Sequence, residues 1–94
     1  MGYRIELEEI EAAMGTLIGV KESAAIYVRL GEGMGQICGF VAMDSAVPPE
    51  SLVEQVARIV PPYMVPKKIS VLTHLPKNAN GKIDRQALHQ THHQ

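Results

Sequence analysis

The sequence predicts a small α+β domain, with a mainly antiparallel three-stranded sheet flanked by helices and a short strand ahead of the first helix. Three observations carry that expectation. Leu7 to Ile18 and Glu50 to Val60 hold apolar residues at helical spacing, and between them lie two apolar, β-branched runs broken by a glycine cluster. A third strand-like run follows the Pro61-Pro62 pair, and 94 residues make one small domain, large enough for a single core. Composition bounds the function in the same way. With 46% hydrophobic and 20% charged residues and a net charge of -1, the chain is not a basic nucleic-acid binder. No apolar segment approaches the ~20 residues of a membrane span and no signal-peptide pattern is present, so a cytoplasmic chain without membrane or nucleic-acid partners is expected. The one cysteine, Cys38, sits in an apolar run and reads as a small buried hydrophobe.

Each element has its own justification. Tyr3-Arg4-Ile5-Glu6 alternates as a short strand does, and the chain enters it with almost no lead-in, as a piece cut from something longer does. Leu7, Ile10, Met14, Leu17 and Ile18 then fall on one helical face. Glu6, Glu8, Glu9 and Glu11 lie where the positive end of a helix dipole favours acids, and they alternate with core residues instead of converging as metal ligands would. Ser23 to Leu30 and Gln36 to Met43 read as an antiparallel hairpin. The second strand is apolar almost throughout, as a central strand covered on both faces should be. Gly31, Gly33 and Gly35 between them form a loop and not a phosphate cradle, because no helix follows. After Pro48-Pro49 the second helix presents Leu52, Val53, Val56, Ile59 and Val60; Tyr63 to Pro66 is a rigid extended segment, and Lys68 to Leu72 is the last strand. A short helix from Asp84 to His89 closes the chain, and His89, His92 and His93 belong to a polar tail, not to a metal site.

The candidate functional stretch is Leu75 to Arg85. Asn80-Gly81 is a strong turn signal, since both residue types tolerate positive φ, and it places Lys82 on a defined backbone. On its own this is an exposed lysine after a turn.

Three segments in a fixed order change that reading: Gly2-Tyr3-Arg4-Ile5-Glu6-Leu7 with Glu9-Ile10-Glu11, then Pro62-Tyr63-Met64-Val65-Pro66, then Asn80-Gly81-Lys82-Ile83-Asp84-Arg85. Together they resemble the C-terminal subdomain of adenylate-forming ligases, of the amino-acid adenylation type found in nonribosomal peptide synthetases and their free-standing relatives. The resemblance covers residues 1–94 as a lid subdomain. It implies a reaction of a carboxylic acid with ATP and Mg2+ to an acyl-adenylate and pyrophosphate, followed by transfer of the acyl group to the phosphopantetheine thiol of a carrier protein. The lysine matching Lys82 would reach the substrate carboxylate and the nucleotide near its α-phosphate. Asn80 and Gly81 would support its turn. Between half-reactions the subdomain would rotate, bringing Gly2 and Arg4 to the pantetheine channel. Two positions depart from the family pattern: Glu8 replaces a usual glycine and Asn78 a usual threonine.

The resemblance also implies that the nucleotide pocket and metal ligands belong to a large N-terminal subdomain outside these residues, so the chain alone should be inactive. Arg4-Ile5-Glu6-Leu7 and Ile83-Asp84-Arg85 follow the carrier-protein type, with a peptidyl or D-alanyl carrier protein as acceptor, and not the acyl-CoA type. A rival reading is a carrier-protein docking module, in which Arg58, Lys67, Lys68 and Lys77 face an acidic partner helix.

Overall fold

The computed structural model describes residues 6–92. In chain order these form helix α1 (Leu7–Gly15), strands β1 (Glu22–Gly31) and β2 (Met34–Ala42), helix α2 (Pro49–Ala57), a 3₁₀ turn (Pro62–Met64), strand β3 (Lys68–Leu72) and helix α3 (Arg85–His92). The sheet order is β1-β2-β3. β1 and β2 pair antiparallel from Glu22↔Ala42 to Gly31↔Met34, and β3 joins β2 parallel from Cys38↔Lys68 to Ala42↔Leu72. The mainly antiparallel sheet expected from the sequence is therefore present, with the parallel pair made possible by the α2 crossover. The short strand expected over Tyr3 to Glu6 falls largely outside the described residues.

Strand β2 is the centre of the molecule, because its alternate side chains enter two separate cores. Ile37 and Val41, with Met43 just past the strand's end, join Ile10, Met14, Leu52, Val56, Met64 and Ile69 under α1 and α2. Cys38, Phe40 and Ala42 join Ala24, Ile26, Val28, Leu75 and Leu88 under α3, with Ile83 packed against them. A strand covered on both faces is apolar at every position, and that continuous run is what marked it in the sequence. Gly39 interrupts the run for a steric reason: a Cβ there would lie 2.7 Å from Met14 Sδ and 3.2 Å from Ile69 Cγ1. The bare backbone lets α1 settle closely on the sheet. Cys38 is buried, and burial pushes its thiol up from the ordinary range, partly offset by the Gln36 amide 3.7 Å from Sγ and by Lys68. That is the behaviour of a packing residue and not of a nucleophile.

Four local expectations are corrected. α1 ends at Gly15, where the Thr16 hydroxyl donates to the Ala13 carbonyl at 2.7 Å, so Ile18 lies beyond the helix and is 95% exposed. α2 ends at Ala57, short of the expected Val60. The residue before a proline is pushed away from helical backbone, and ahead of Pro61 the chain tightens into a turn in which Ile59 N–H donates to the Val56 carbonyl at 2.8 Å. Ile59 is consequently exposed. The stretch after Pro61 is a 3₁₀ turn instead of an extended segment; Met64 N–H donates to the Pro61 carbonyl at 2.9 Å and the Met64 side chain drops into the core. The glycine loop is also tighter than the Gly31 to Gly35 interruption suggested. β1 and β2 run on to a turn at Glu32-Gly33, with Gly33 at φ 69°. Tyr27 lies across Gly35 and leaves no room there for a Cβ.

Candidate functional site

The segment that carries Lys82 is built as a turn between two anchored feet. Leu75 is buried, Lys77 and Ile83 form an antiparallel bridge, and Ile83 packs into the core below α3. Between them the backbone closes on itself: Asn78 N–H donates to the Lys82 carbonyl at 2.7 Å and Gly81 N–H to the Asn78 carbonyl at 2.9 Å. Gly81 has φ +80°, the left-handed conformation the closure requires, whereas Asn80 keeps a negative φ. Of the Asn-Gly pair, only the glycine supplies the special backbone.

The second brace comes from the side chain of Asn78, the residue that stands where the family pattern has threonine. Its Oδ1 accepts from Asn80 N–H at 2.9 Å and from Lys82 N–H at 3.1 Å. The carboxamide thus gathers two backbone donors across the turn, one of them belonging to Lys82 itself. Asn78 two residues ahead of the Asn80-Gly81 pair is the available sequence signal for such an Asx-type brace.

Downstream, the chain passes directly into α3. Asp84 N–H donates to the Pro76 carbonyl at 2.9 Å, and Asp84 Oδ1 accepts from Ala87 N–H at 3.1 Å, which caps the first turn of the helix. Arg85 then reaches the edge of the sheet. Its Nη1 donates to Glu11 Oε2 at 2.5 Å and to the Ala25 carbonyl at 3.1 Å. Upstream, Lys77 Nζ pairs with Glu22 Oε2 at 2.7 Å. Both feet of the turn are tied to β1.

Lys82 itself is exposed, and among the described residues its ammonium has no ion pair or side-chain hydrogen bond. It is a cation held by its backbone and presented outward. Two grooves among the described residues, one of about 460 Å³ between α1 and the 3₁₀ turn, lined by Ala12, Thr16, Ile59, Pro61 and Tyr63 among others, and one of about 280 Å³ beside Tyr27, Gly35 and Lys67, are not lined by Lys82. No group of three His, Cys, Asp or Glu side chains able to hold a metal occurs among the described residues, and no helix among them is long and apolar enough to cross a membrane.

The remaining site residues divide cleanly. Gly2 and Arg4 lie outside the described residues. Asn80 and Gly81 are in the turn as expected. Arg58, Lys67 and Lys68 are exposed, whereas Lys77 is engaged with Glu22.

The family model for the AMP-binding enzyme C-terminal domain matches residues 9–82. The AMB antimetabolite synthetase AmbB of Pseudomonas aeruginosa is 40% identical over 87 residues, which is 93% of this chain and 7% of that protein. The phenyloxazoline synthase MbtB of a Mycobacterium species is 42% identical over 90 residues, 93% of this chain and 8% of that protein. The chain therefore spans less than a tenth of the length of these curated relatives. Among solved structures, a Mycobacterium tuberculosis fatty acyl CoA synthetase superposes with a TM-score of 0.82 at 26% identity, covering 96% of this chain and 18% of that one.

The turn geometry makes its own prediction. Replacing Asn78 by Ala removes the acceptor of two backbone N–H groups at an exposed site and should cost about 0.5–1.5 kcal/mol in urea denaturation. Amide exchange at Lys82 should accelerate in the same variant. Unchanged exchange at Lys82 would show that the carboxamide does not hold this backbone.

Proposed function

This chain belongs to the AMP-binding enzyme C-terminal domain family, and from that membership and the form of its turn we propose that it is the mobile lid subdomain of an amino-acid adenylating ligase, with Lys82 as its catalytic residue. The observation that carries the reading is the exposed ammonium of Lys82, unpaired among the described residues, on a backbone fixed by Gly81, by Asn78 and by two anchored feet.

The chemistry needs such a group. In the first half-reaction an oxygen of the acid's carboxylate attacks the α-phosphorus of ATP; the new O–P bond gives the acyl-adenylate, and the bond to the leaving pyrophosphate breaks. Two anionic partners must approach while charge redistributes over the α-phosphate oxygens. A compact ammonium delivered to that point offsets both effects, and it does so best when its position is settled before the reaction. No group of three His, Cys, Asp or Glu side chains among the described residues could hold Mg2+, so the ion, which would offset the charge of the departing pyrophosphate, would be held by the large N-terminal subdomain. In the second half-reaction the thiolate of a carrier-bound phosphopantetheine attacks the acyl carbon, and AMP leaves. Lys82 has no task there, which is consistent with a lid that rotates away. We assign Gly2 and Arg4 to the thiol's approach in that second orientation, where a residue without a side chain admits the pantetheine arm.

A carrier-protein acceptor, in preference to coenzyme A, is supported by Arg4-Ile5-Glu6-Leu7 and Ile83-Asp84-Arg85, which follow the carrier-protein pattern. One residue on one turn does not make an enclosed pocket, so the nucleotide and the acid are held by the partner subdomain.

In the complete ligase, Lys82→Ala should lower acid-dependent ATP–pyrophosphate exchange about a hundredfold or more, while transfer from a supplied acyl-adenylate stays within about twofold. Exchange at the parental rate would sink the assignment. On the 94-residue chain alone, calorimetric titration with ATP should give no binding heat. Micromolar affinity there would place a nucleotide site within these residues and contradict the division of labour.

A further inference from the structure

The ties that hold the Lys82 turn to the sheet converge on one backbone position. Ala25 lies in β1, which among the described residues pairs with β2 alone, so that its other edge carries no strand of this sheet. At that edge Ala25 N–H donates to Glu11 Oε2 at 2.8 Å, and the Ala25 carbonyl accepts from Arg85 Nη1 at 3.1 Å. The same Glu11 oxygen accepts from the same Arg85 nitrogen, and the Ser23 hydroxyl donates to the Glu11 carbonyl at 2.7 Å. The ion pair thus occupies the place of a neighbouring strand and blunts the edge. It also joins α1, on one face of the sheet, to the residue that opens α3 on the other.

We propose that Glu11 and Arg85 are positioning residues for Lys82, fixing the direction in which the turn presents its ammonium. The inference rests on the assignment of Lys82 made above. Arg85 follows Lys82 by three residues, and the intervening Ile83 and Asp84 are held by core packing and by the Pro76 carbonyl, so little slack separates the clamp from the cation. Lys77–Glu22 ties the other foot to the same strand three residues before Ala25. With both feet on β1, the turn moves only with the sheet.

Exposure separates positioning from stability. The Arg85 side chain is 47% exposed and that of Glu11 16%, so the pair adds little to global stability, where exposed ion pairs contribute weakly. Its orienting effect is not weakened in the same way, because one nitrogen, Arg85 Nη1, is held by both Glu11 and the Ala25 carbonyl, and a displacement of the reacting geometry by ~1 Å costs about a hundredfold in rate.

A double-mutant cycle in the complete ligase tests this with Glu11→Gln, which keeps an acceptor for Ala25 N–H but removes the charge, alone and combined with Lys82→Ala. Glu11→Gln should lower kcat for acid-dependent ATP–pyrophosphate exchange by about 10-fold to 100-fold. The KM for ATP and the rate of transfer from a supplied acyl-adenylate should change by less than about twofold. Added to Lys82→Ala, it should cause no further loss, since a residue that acts through Lys82 has nothing left to orient. Arg85→Met, which keeps the apolar stem but removes both donated bonds, should reproduce the pattern. Parental exchange in both variants would overturn the proposal, as would an equal loss in the two half-reactions or losses that multiply with Lys82→Ala, either of which marks a structural role alone. If Lys82→Ala itself leaves exchange intact, the assignment of Lys82 fails, a result distinct from those.

Discussion

Everything in this molecule follows from the need to cover strand β2 on both faces. One face is closed by α1 and α2, and the other by α3 together with Leu75 and Ile83. The second covering is the one that matters for function. The residues that bury Phe40 and Cys38 from below are those that flank the Lys82 turn, so the hydrophobic effect that completes the core also fixes where the lysine stands. A loop with no share in the core would present the same cation with no defined direction. In this chain the turn cannot shift without uncovering apolar surface, and the Glu11–Arg85 pair at the edge of β1 limits what rotation remains.

Under the proposed function, that arrangement explains how a domain this small would take part in demanding chemistry. A chain of 94 residues has too little interior to enclose a nucleotide, a carboxylic acid and a metal ion. It can hold one charged group rigidly and offer it to a site built elsewhere. Rigid presentation is the more valuable contribution where catalysis rests on electrostatic stabilisation, because a cation already in place does not have to reorganise as charge develops. Under the proposed function, separation into two bodies would also allow the cation to be withdrawn when the next step needs a thiol in its place.

Much of the fold was legible from the sequence because it is written in local patterns. The uniform apolarity of Ile37 to Met43 identified the central strand, and Lys68 to Leu72 was bounded by its prolines. The features that escaped depend on contacts between distant residues or on competition at element ends. Ile18 kept helical spacing, but a glycine and a threonine ended α1 before it. Tyr63 to Pro66 looked extended because prolines forbid regular helix, yet they permit a single 3₁₀ turn. Glu11 was read as an acid suited to a helix start, whereas its partner Arg85 lies 74 residues away, and no periodicity reports such a pair. Asn78 stood out only as an unusual residue at its position; its two backbone acceptor bonds emerge once the turn is closed.

The central claim concerns where one nitrogen atom goes when the two subdomains close. A crystal structure of the complete ligase with its acid and an ATP analogue carrying a non-cleavable α,β-methylene bridge addresses it most directly. Lys82 Nζ should lie within about 3 Å of an α-phosphate oxygen or the substrate carboxylate, with the Asn78 to Lys82 turn unchanged. A closed complex in which Lys82 points into solvent and another cation occupies that position would contradict the account.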